Sequence, residues 1–237
     1  MVIDSGNSFV KIGIFESDSL KEKRVLAQGN DVKIFLQSTP VKHVLLSSVA
    51  TDAEQLVSSS IANGQKIILN ALVPLPISNK YASPETLGSD RLAAACGAWS
   101  LFPKQDSLVI DVGTCINYEF VSSDGTYHGG AISPGVRMRF DSMHKLTAKL
   151  PAATPVAPAP LTGNTTVSCL QSGVMNGMLE EIKGIISRYT NDYPGIRVIL
   201  CGGDAHFFEK DLKPSIFVAP DLVLMGLNSI LLHNVDE

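Results

Sequence analysis

The chain has 237 residues, of which 45% are hydrophobic and 18% are charged. That apolar fraction excludes an intrinsically disordered chain, because enough surface can be buried to offset the entropy of ordering. The length fits one large domain or two small ones. A formal net charge of −4 argues against a basic nucleic-acid groove, although a local cluster of basic residues can still bind one anion.

The cysteines and the apolar stretches exclude several further classes. The four cysteines are scattered without a CxxC pair, which disfavours a zinc site, a redox dithiol and a disulfide framework. The amino-terminal MVIDSGNS lacks the basic region of a signal peptide and carries Asp4 in its apolar part. Residues 216–232 are interrupted by Pro220 and Asp221, so they do not predict a membrane span. We therefore expect a cytoplasmic protein that binds no membrane and no nucleic acid.

The order of the predicted elements is typical of an α/β fold. Short runs rich in apolar and β-branched residues predict strands at 1–4, 10–16, 41–48, 66–69, 108–111, 116–121, 128–132 and 198–201. Apolar residues at helical spacing predict helices at 53–62, 87–102, 134–149, 166–189 and 222–233. Ser89 or Asp90 is a candidate N-cap for the second of these helices. Residues 150–161 hold four prolines and predict an extended connection between two helices.

A short repeat indicates that the chain has two similar halves. The pentapeptide VIDSG at 2–6 recurs as VIDVG at 109–113, and a second β-prone run follows each copy. Two strand–turn–strand units of this kind predict a duplicated fold. The predicted boundary lies near 104–107, with an amino-terminal half at 1–106 and a carboxy-terminal half at 107–237.

The two repeated turns carry residues suited to phosphate. In the first, DSGNS at 4–8, glycine lets the backbone approach a ligand and direct N–H groups at an anion, and Lys11 adds a positive charge. Asp4 is a candidate for holding Mg²⁺ through water. The second turn, DVGT at 111–114, repeats this chemistry without a lysine. The alternative is two ordinary hairpin turns, although their duplication favours a polyphosphate ligand.

Three further clusters have alternative interpretations. In GSDR at 88–91, Asp90 is a candidate base for a substrate hydroxyl and Arg91 for pairing with a substrate carboxylate, or the segment is a helix cap with a surface ion pair. The glycines of 129–135 and 201–205 would admit a ligand beside bare backbone, or they are turns that need positive φ. Neither glycine cluster decides a function by itself.

Taken in order, these clusters resemble the type III pantothenate kinases, of the acetate and sugar kinase, Hsp70 and actin superfamily. The resemblance runs through nearly the whole chain and includes DSGNSFVK, GSDR, DVGT, GGAISPG, TAKLP at 147–151 and LQSG at 170–173. It implies two ribonuclease H-like, actin-like halves with a cleft between them. It also implies ATP-dependent phosphorylation of the primary hydroxyl of pantothenate, the first step of coenzyme A biosynthesis.

The resemblance assigns roles to residues of this sequence. Asp90 would be the catalytic base, and Asp111 would be a ligand of a monovalent cation, K⁺ or NH₄⁺. Contacts with ATP would come from Asp4, Ser5, Gly6, Asn7, Ser8, Phe9, Val10, Lys11, Thr114, Gly202 and Gly203. Contacts with pantothenate would come from Tyr81, Gly88, Ser89, Asp90, Arg91 and Thr166.

The expected assembly is a homodimer whose active site uses both chains. In the family, the region of Thr166 reaches the partner's substrate pocket, and the apolar residues of helix 166–189 suit a helix-mediated contact: Val167, Leu170, Val174, Met178, Ile182 and Ile185. The alternative is a helix packed within its own core, with Thr166 as its N-cap. Alternatives to the predicted function are another small-molecule kinase of the superfamily and a non-catalytic transcription-accessory regulator.

Overall fold

The computed structural model describes residues 1–6, 9–48 and 53–235. The strands in this part of the chain are β1 (Val2–Ser5), β2 (Phe9–Glu16), β3 (Ser19–Ala27), β4 (Val44–Ser48), β5 (Lys66–Ile68), β6 (Ser78–Asn79), β7 (Ser107–Val112), β8 (Cys115–Val121), β9 (Thr126–Pro134), β10 (Arg197–Cys201) and β11 (Phe217–Val218). The helices are α1 (Asn30–Ser38), α2 (Ala53–Ser59), α3 (Ser89–Leu101), α4 (Val136–Lys145), α5 (Thr166–Asp192), α6 (Glu209–Leu212) and α7 (Leu222–Asn234).

Each predicted strand and helix is present, with bounds that differ by a few residues. Two longer elements, β3 and α1, were not predicted. Strand β3 lies at the edge of its sheet, and its sequence is SLKEKRVLA. Its exposed charged residues interrupt the alternation of apolar and polar residues from which a strand is predicted. The N-cap prediction for α3 was wrong, because Gly88 occupies that position.

The chain forms two compact units. The first contains Met1–Lys104, Val121–His128 and the segment from Asp221 onward, and the second contains Gln105–Phe120 and Gly129–Pro220. The sequence-based division assigned both 121–128 and α7 to the second half, whereas their contacts lie in the first unit. The division into two similar halves, one carrying each repeated turn, stays a prediction.

The first unit is built on a sheet in the order β3-β2-β1-β4-β5. Strands β1 and β2 are antiparallel, whereas β1 and β4 are parallel. Ile3 and Leu46, fully buried, pack with α1 and α2 on one face of this sheet. Because side chains alternate along a strand, the neighbours of these residues point to the opposite face, against which α3 and α7 pack.

Helices α3 and α7 are in close backbone contact. A β-carbon on Gly226 would lie 1.7 Å from the carbonyl oxygen of Ala93, and one on Gly97 would lie 2.5 Å from that of Leu222. Both positions therefore require glycine, because a β-carbon would clash with a backbone carbonyl oxygen of the other helix. This packing fixes α3, and with it the amino-terminal end of α3, against the first sheet.

The second unit has strands in the order β11-β10-β7-β8-β9, with β10 parallel to both β7 and β11. Helix α5 packs on this sheet through Leu170, Val174, Met178 and Ile182, all buried in the core of the unit. The expectation that these four residues serve a contact with a second chain is therefore wrong. Thr165, not Thr166, is the N-cap of α5, and its hydroxyl accepts a hydrogen bond from the Ser168 amide.

Residues 146–165 form neither helix nor strand, which confirms the extended connection predicted between α4 and α5. Among the helices of the described residues, none combines the length and the apolar character needed to cross a membrane.

Candidate active site

The first turn lies between β1 and β2, beyond the carboxyl end of β1, which is the central strand of the first sheet. The Gly6 amide donates to the carbonyl of Phe9 at 3.1 Å, and the Gln28 side-chain amide donates to the Gly6 carbonyl at 2.7 Å. The Gly6 N–H is thus used within the turn, which corrects the expectation that it points at an anion. Asn7 and Ser8 lie outside the described residues. The side chain of Val10 is buried in the core, so only its backbone remains for a nucleotide contact.

Asp4 and Lys11 lie on one face of the first sheet. They are directly paired across β1 and β2, and Asp4 is also paired with Ser47 of β4. Residues paired in this way point to the same face. Ile3 faces α1 and α2, so Asp4 faces the side of the sheet that α3 covers. A carboxylate and an ammonium group are therefore placed at the start of the first turn.

The GSDR segment meets this face through a hydrogen bond between two hydroxyl groups. Ser47 Oγ and Ser89 Oγ are 2.8 Å apart, and Ser47 is buried. Asp90 follows directly in the first turn of α3, where the helix dipole stabilises a carboxylate. Its Oδ1 accepts a hydrogen bond from the Arg91 amide at 2.9 Å. The Asp4 and Lys11 face and the Asp90 helix end thus lie on the same side of the first sheet.

Gly88 leaves room for the Asp90 carboxylate. A β-carbon at this position would lie only 2.5 Å from Asp90 Oδ1. The absence of a side chain at residue 88 is therefore a condition for the observed position of Asp90.

Arg91 and Tyr81 are in contact, although ten residues separate them in the sequence. Arg91 Nη1 donates to Tyr81 Oη at 3.4 Å, and its guanidinium carbon lies 5.5 Å from the centre of the Tyr81 ring. Tyr81 in turn stacks on buried Tyr127, with ring centres 6.2 Å apart. These contacts hold a buried arginine beside the aromatic ring, on the helix that carries Asp90.

The second turn joins β7 to β8 in the second unit. The Gly113 amide donates to the Cys115 carbonyl at 2.9 Å, so this N–H is also used within the turn and does not point at an anion. The Asp204 amide donates to the Val112 carbonyl at 2.9 Å. Asp111 is paired with Cys201 in the parallel β7–β10 ladder, so the second turn and the Gly202–Gly203 turn leave the sheet at the same edge.

The two glycines after β10 differ in their environment. Gly202 has φ of 97°, and a β-carbon there would lie 2.3 Å from the Val112 carbonyl oxygen and 2.5 Å from Asp111 Oδ1. A β-carbon on Gly203 would meet nothing within 4 Å. Gly202 is thus required by packing and backbone conformation, whereas Gly203 presents bare backbone to open space. Burial raises the pKa of nearby Asp204, opposed by His206.

Thr166 is the first residue of α5, and it is exposed. It is available to a ligand or a second chain.

A model of the family described as "Type III pantothenate kinase" matches residues 1–188. A protein of that name from Cytophaga hutchinsonii is 42% identical over 235 residues, which cover 99% of each chain. The chain belongs to the type III pantothenate kinase family.

Solved structures with low sequence identity support the fold. A protein from Campylobacter jejuni, named for the Baf family of transcriptional activators, is 19% identical with a TM-score of 0.64, and the match covers 98% of both chains. The activator of 2-hydroxyisocaproyl-CoA dehydratase from Clostridium difficile, solved with bound ADPNP, is 13% identical with a TM-score of 0.53. It covers 98% of this chain and 92% of that one. The predicted actin-like α/β fold is thereby confirmed.

Kinases of the type III pantothenate family use ATP with a divalent metal ion, and the side chains of this chain fit such ions. In the described residues, no group of three or more His, Cys, Asp or Glu side chains is arranged to hold a metal. Mg²⁺ typically takes one or two carboxylates together with substrate phosphates and waters, so Asp4 alone is a sufficient protein ligand. Asp111, near the end of β7, carries a carboxylate, the type of oxygen ligand that suits a hard cation.

Some polar contacts of the described residues were not predicted from the sequence. Ser47 belongs to no recognisable sequence motif. Only the pairing of β4 with β1 shows that it lies beside Asp4. Arg139 and Glu181 form an ion pair in the second unit, and no local pattern indicates this pair.

Proposed function

We propose that this protein transfers the γ-phosphoryl group of ATP to the primary hydroxyl of pantothenate, the first step of coenzyme A biosynthesis. Family membership supplies the substrates. The observation that supports the chemistry is the Ser47–Ser89 hydrogen bond, which joins the helix end carrying Asp90 to the face that carries Asp4 and Lys11. The proposed base, the proposed Mg²⁺ ligand and the proposed phosphate-binding lysine all belong to the first unit.

Each of these side chains has a separate role in the proposed reaction. Asp90 accepts the proton of the pantothenate hydroxyl while the hydroxyl oxygen forms a bond to the γ-phosphorus. The bond between that phosphorus and the β–γ bridging oxygen breaks, and ADP leaves with the electron pair. Lys11 neutralises phosphate charge, and bound Mg²⁺, held through Asp4, would supply further neutralisation of the phosphate oxygens. Arg91, beside Tyr81, holds the pantothenate carboxylate.

Two turns of the second unit also carry residues that we propose as nucleotide contacts. Thr114 contacts the phosphates, and Gly202 and Gly203 border the adenosine, where Gly203 has open space beside its backbone. Asp111 holds K⁺ or NH₄⁺, large cations that are weakly hydrated and organise the phosphate site. The position of Asp111 near the end of β7, directly before the rest of the DVGT turn, supports this assignment.

We further propose a homodimer in which Thr166 contacts the pantothenate of the partner's site. The exposed position of Thr166 at the start of α5 supports this, whereas the apolar residues in the middle of α5 do not. A non-catalytic regulator of this fold is the competing function, because a solved relative bears the name of a transcriptional activator. Asp90 and Lys11 favour the kinase, since a protein that only binds needs no base.

The test is ADP release from ATP with pantothenate, with no acceptor and with other small alcohols. We expect release that depends on pantothenate and falls by about 10²–10⁴ in Asp90→Asn while the fold is retained. Release with another alcohol instead of pantothenate would indicate a different kinase. A folded protein without release under any condition would support the regulator.

A further inference from the structure

Arg139, near the start of α4, has contacts for which the proposed reaction gives no role. Its Nε donates to the carbonyl of Pro134 at 2.8 Å, and its Nη2 donates to Ser133 Oγ at 2.9 Å. The same Nη2 forms an ion pair with Glu181 of α5. One guanidinium group therefore connects the last residues of β9 to the longest helix of the second unit.

Glu181 is held as an anion by its surroundings. Burial opposes its ionisation, but hydrogen bonds from Arg139, Ser133 and Tyr118 outweigh burial and lower its pKa. Tyr118 of β8 donates from its hydroxyl to Glu181 Oε1 at 3.0 Å. Arg139 thus has a fixed, charged partner, and the pair is anchored to two further elements of the unit.

The segment that Arg139 holds is in direct contact with the second turn. The Gly135 amide donates to the carbonyl of Thr114 at 3.2 Å. A β-carbon on Gly135 would lie 2.2 Å from the Gly113 carbonyl oxygen and 2.5 Å from that of Thr114. A displacement of Ser133 or Pro134 is therefore transmitted to Thr114 through backbone atoms without a side chain between them.

We propose that Arg139 is a positioning residue for the DVGT turn, which it fixes through Ser133, Pro134 and Gly135. This inference rests on the proposed function, since it takes ATP as the ligand of that turn. The planar guanidinium group reaches a carbonyl, a hydroxyl and a carboxylate at once, whereas a lysine ammonium is a single point of charge on a flexible stem. Arg139→Lys therefore keeps the charge and loses the geometry.

The test measures the binding of a non-hydrolysable ATP analogue by calorimetry without pantothenate, together with steady-state kinetics and thermal unfolding. For Arg139→Lys we expect the dissociation constant of the analogue to rise roughly tenfold. The KM for pantothenate should stay at its wild-type value. Arg137→Lys is the matched control, because Arg137 lies on the same helix and its side chain is 91% exposed. Its Nε lies 3.8 Å from Asp141 Oδ2, which is a long distance for an ion pair. The control should bind the analogue as the wild type does.

A second variant keeps the test decisive if Arg139→Lys does not fold. Ser133→Ala removes one hydroxyl from the network and should weaken binding of the analogue about threefold, the effect of one hydrogen bond. Wild-type affinity in every folded variant, even with a lowered melting temperature, would mean that the network only stabilises the fold and would overturn the inference.

The proposed function can be refuted independently of the inference about Arg139. A wild type that binds the analogue without phosphorylating pantothenate refutes that function and leaves the test of Arg139 intact. A wild type that binds no analogue refutes both.

Discussion

The contact between Gly88 and Asp90 leads to a measurable prediction about catalysis. In Gly88→Ala the new β-carbon would lie 2.5 Å from Asp90 Oδ1, whereas ordinary contact begins near 3.4 Å. The oxygen must therefore retreat by about 0.9 Å, and a misplacement near 1 Å can cost about 100-fold in rate. We expect kcat with pantothenate to fall by about that factor. The fold should be retained, because the obstructed atom is the end of a side chain.

The assay is pantothenate-dependent ADP release by Gly88→Ala, Asp90→Asn and the double variant. If residue 88 acts through Asp90, the double variant loses no more activity than Asp90→Asn alone. The matched control is Gly184→Ala in α5, where an added β-carbon meets nothing within 4 Å. It should keep wild-type kcat and gain about 0.5–1 kcal/mol of stability, because alanine is the better helix former. Wild-type kcat in Gly88→Ala, or losses that multiply in the double variant, would refute the reasoning.

Three further predictions follow from other parts of the molecule. If Asp111 holds a monovalent cation, activity in K⁺ or NH₄⁺ salts should fall sharply when Na⁺ replaces them, and equal rates in all three salts would argue against the site. If Thr166 serves the partner's site, mixing Asp90→Asn with Thr166→Arg under subunit exchange should restore activity, because a mixed dimer collects both defects in one site and leaves the other intact. No recovery, with exchange verified by mass spectrometry, would mean that each site belongs to one chain. In Gly226→Ala the β-carbon would lie 1.7 Å from the Ala93 carbonyl oxygen, so α7 must move away from α3. Urea unfolding should show a loss of about 1–3 kcal/mol, and an unchanged midpoint would contradict this close packing.

Features that depend on neighbouring residues were predictable from the sequence. The repeated VID sequences, each followed by a glycine, predicted both strand–turn–strand units, because strand propensity and turn chemistry are local properties. The charge and exposure of β3 hid its strand pattern, since an edge strand can be polar on both faces. The apolar stripe of α5 was visible in the sequence, but the surface that covers it was not. Periodicity indicates that a face is buried and does not indicate against which partner.

Contacts between residues far apart in the sequence were decided only by the tertiary structure. Ser47 and Ser89 are 42 residues apart, and so are Arg139 and Glu181. Each pair forms because strand register or helix packing brings two elements together, and neither is encoded in a local pattern. The sequence likewise shows glycine at residues 6 and 202 but does not show that their structural roles differ. The fold shows that Gly6 donates within its turn, whereas Gly202 avoids a clash with the Val112 carbonyl, because only three-dimensional packing determines what lies beside a missing side chain.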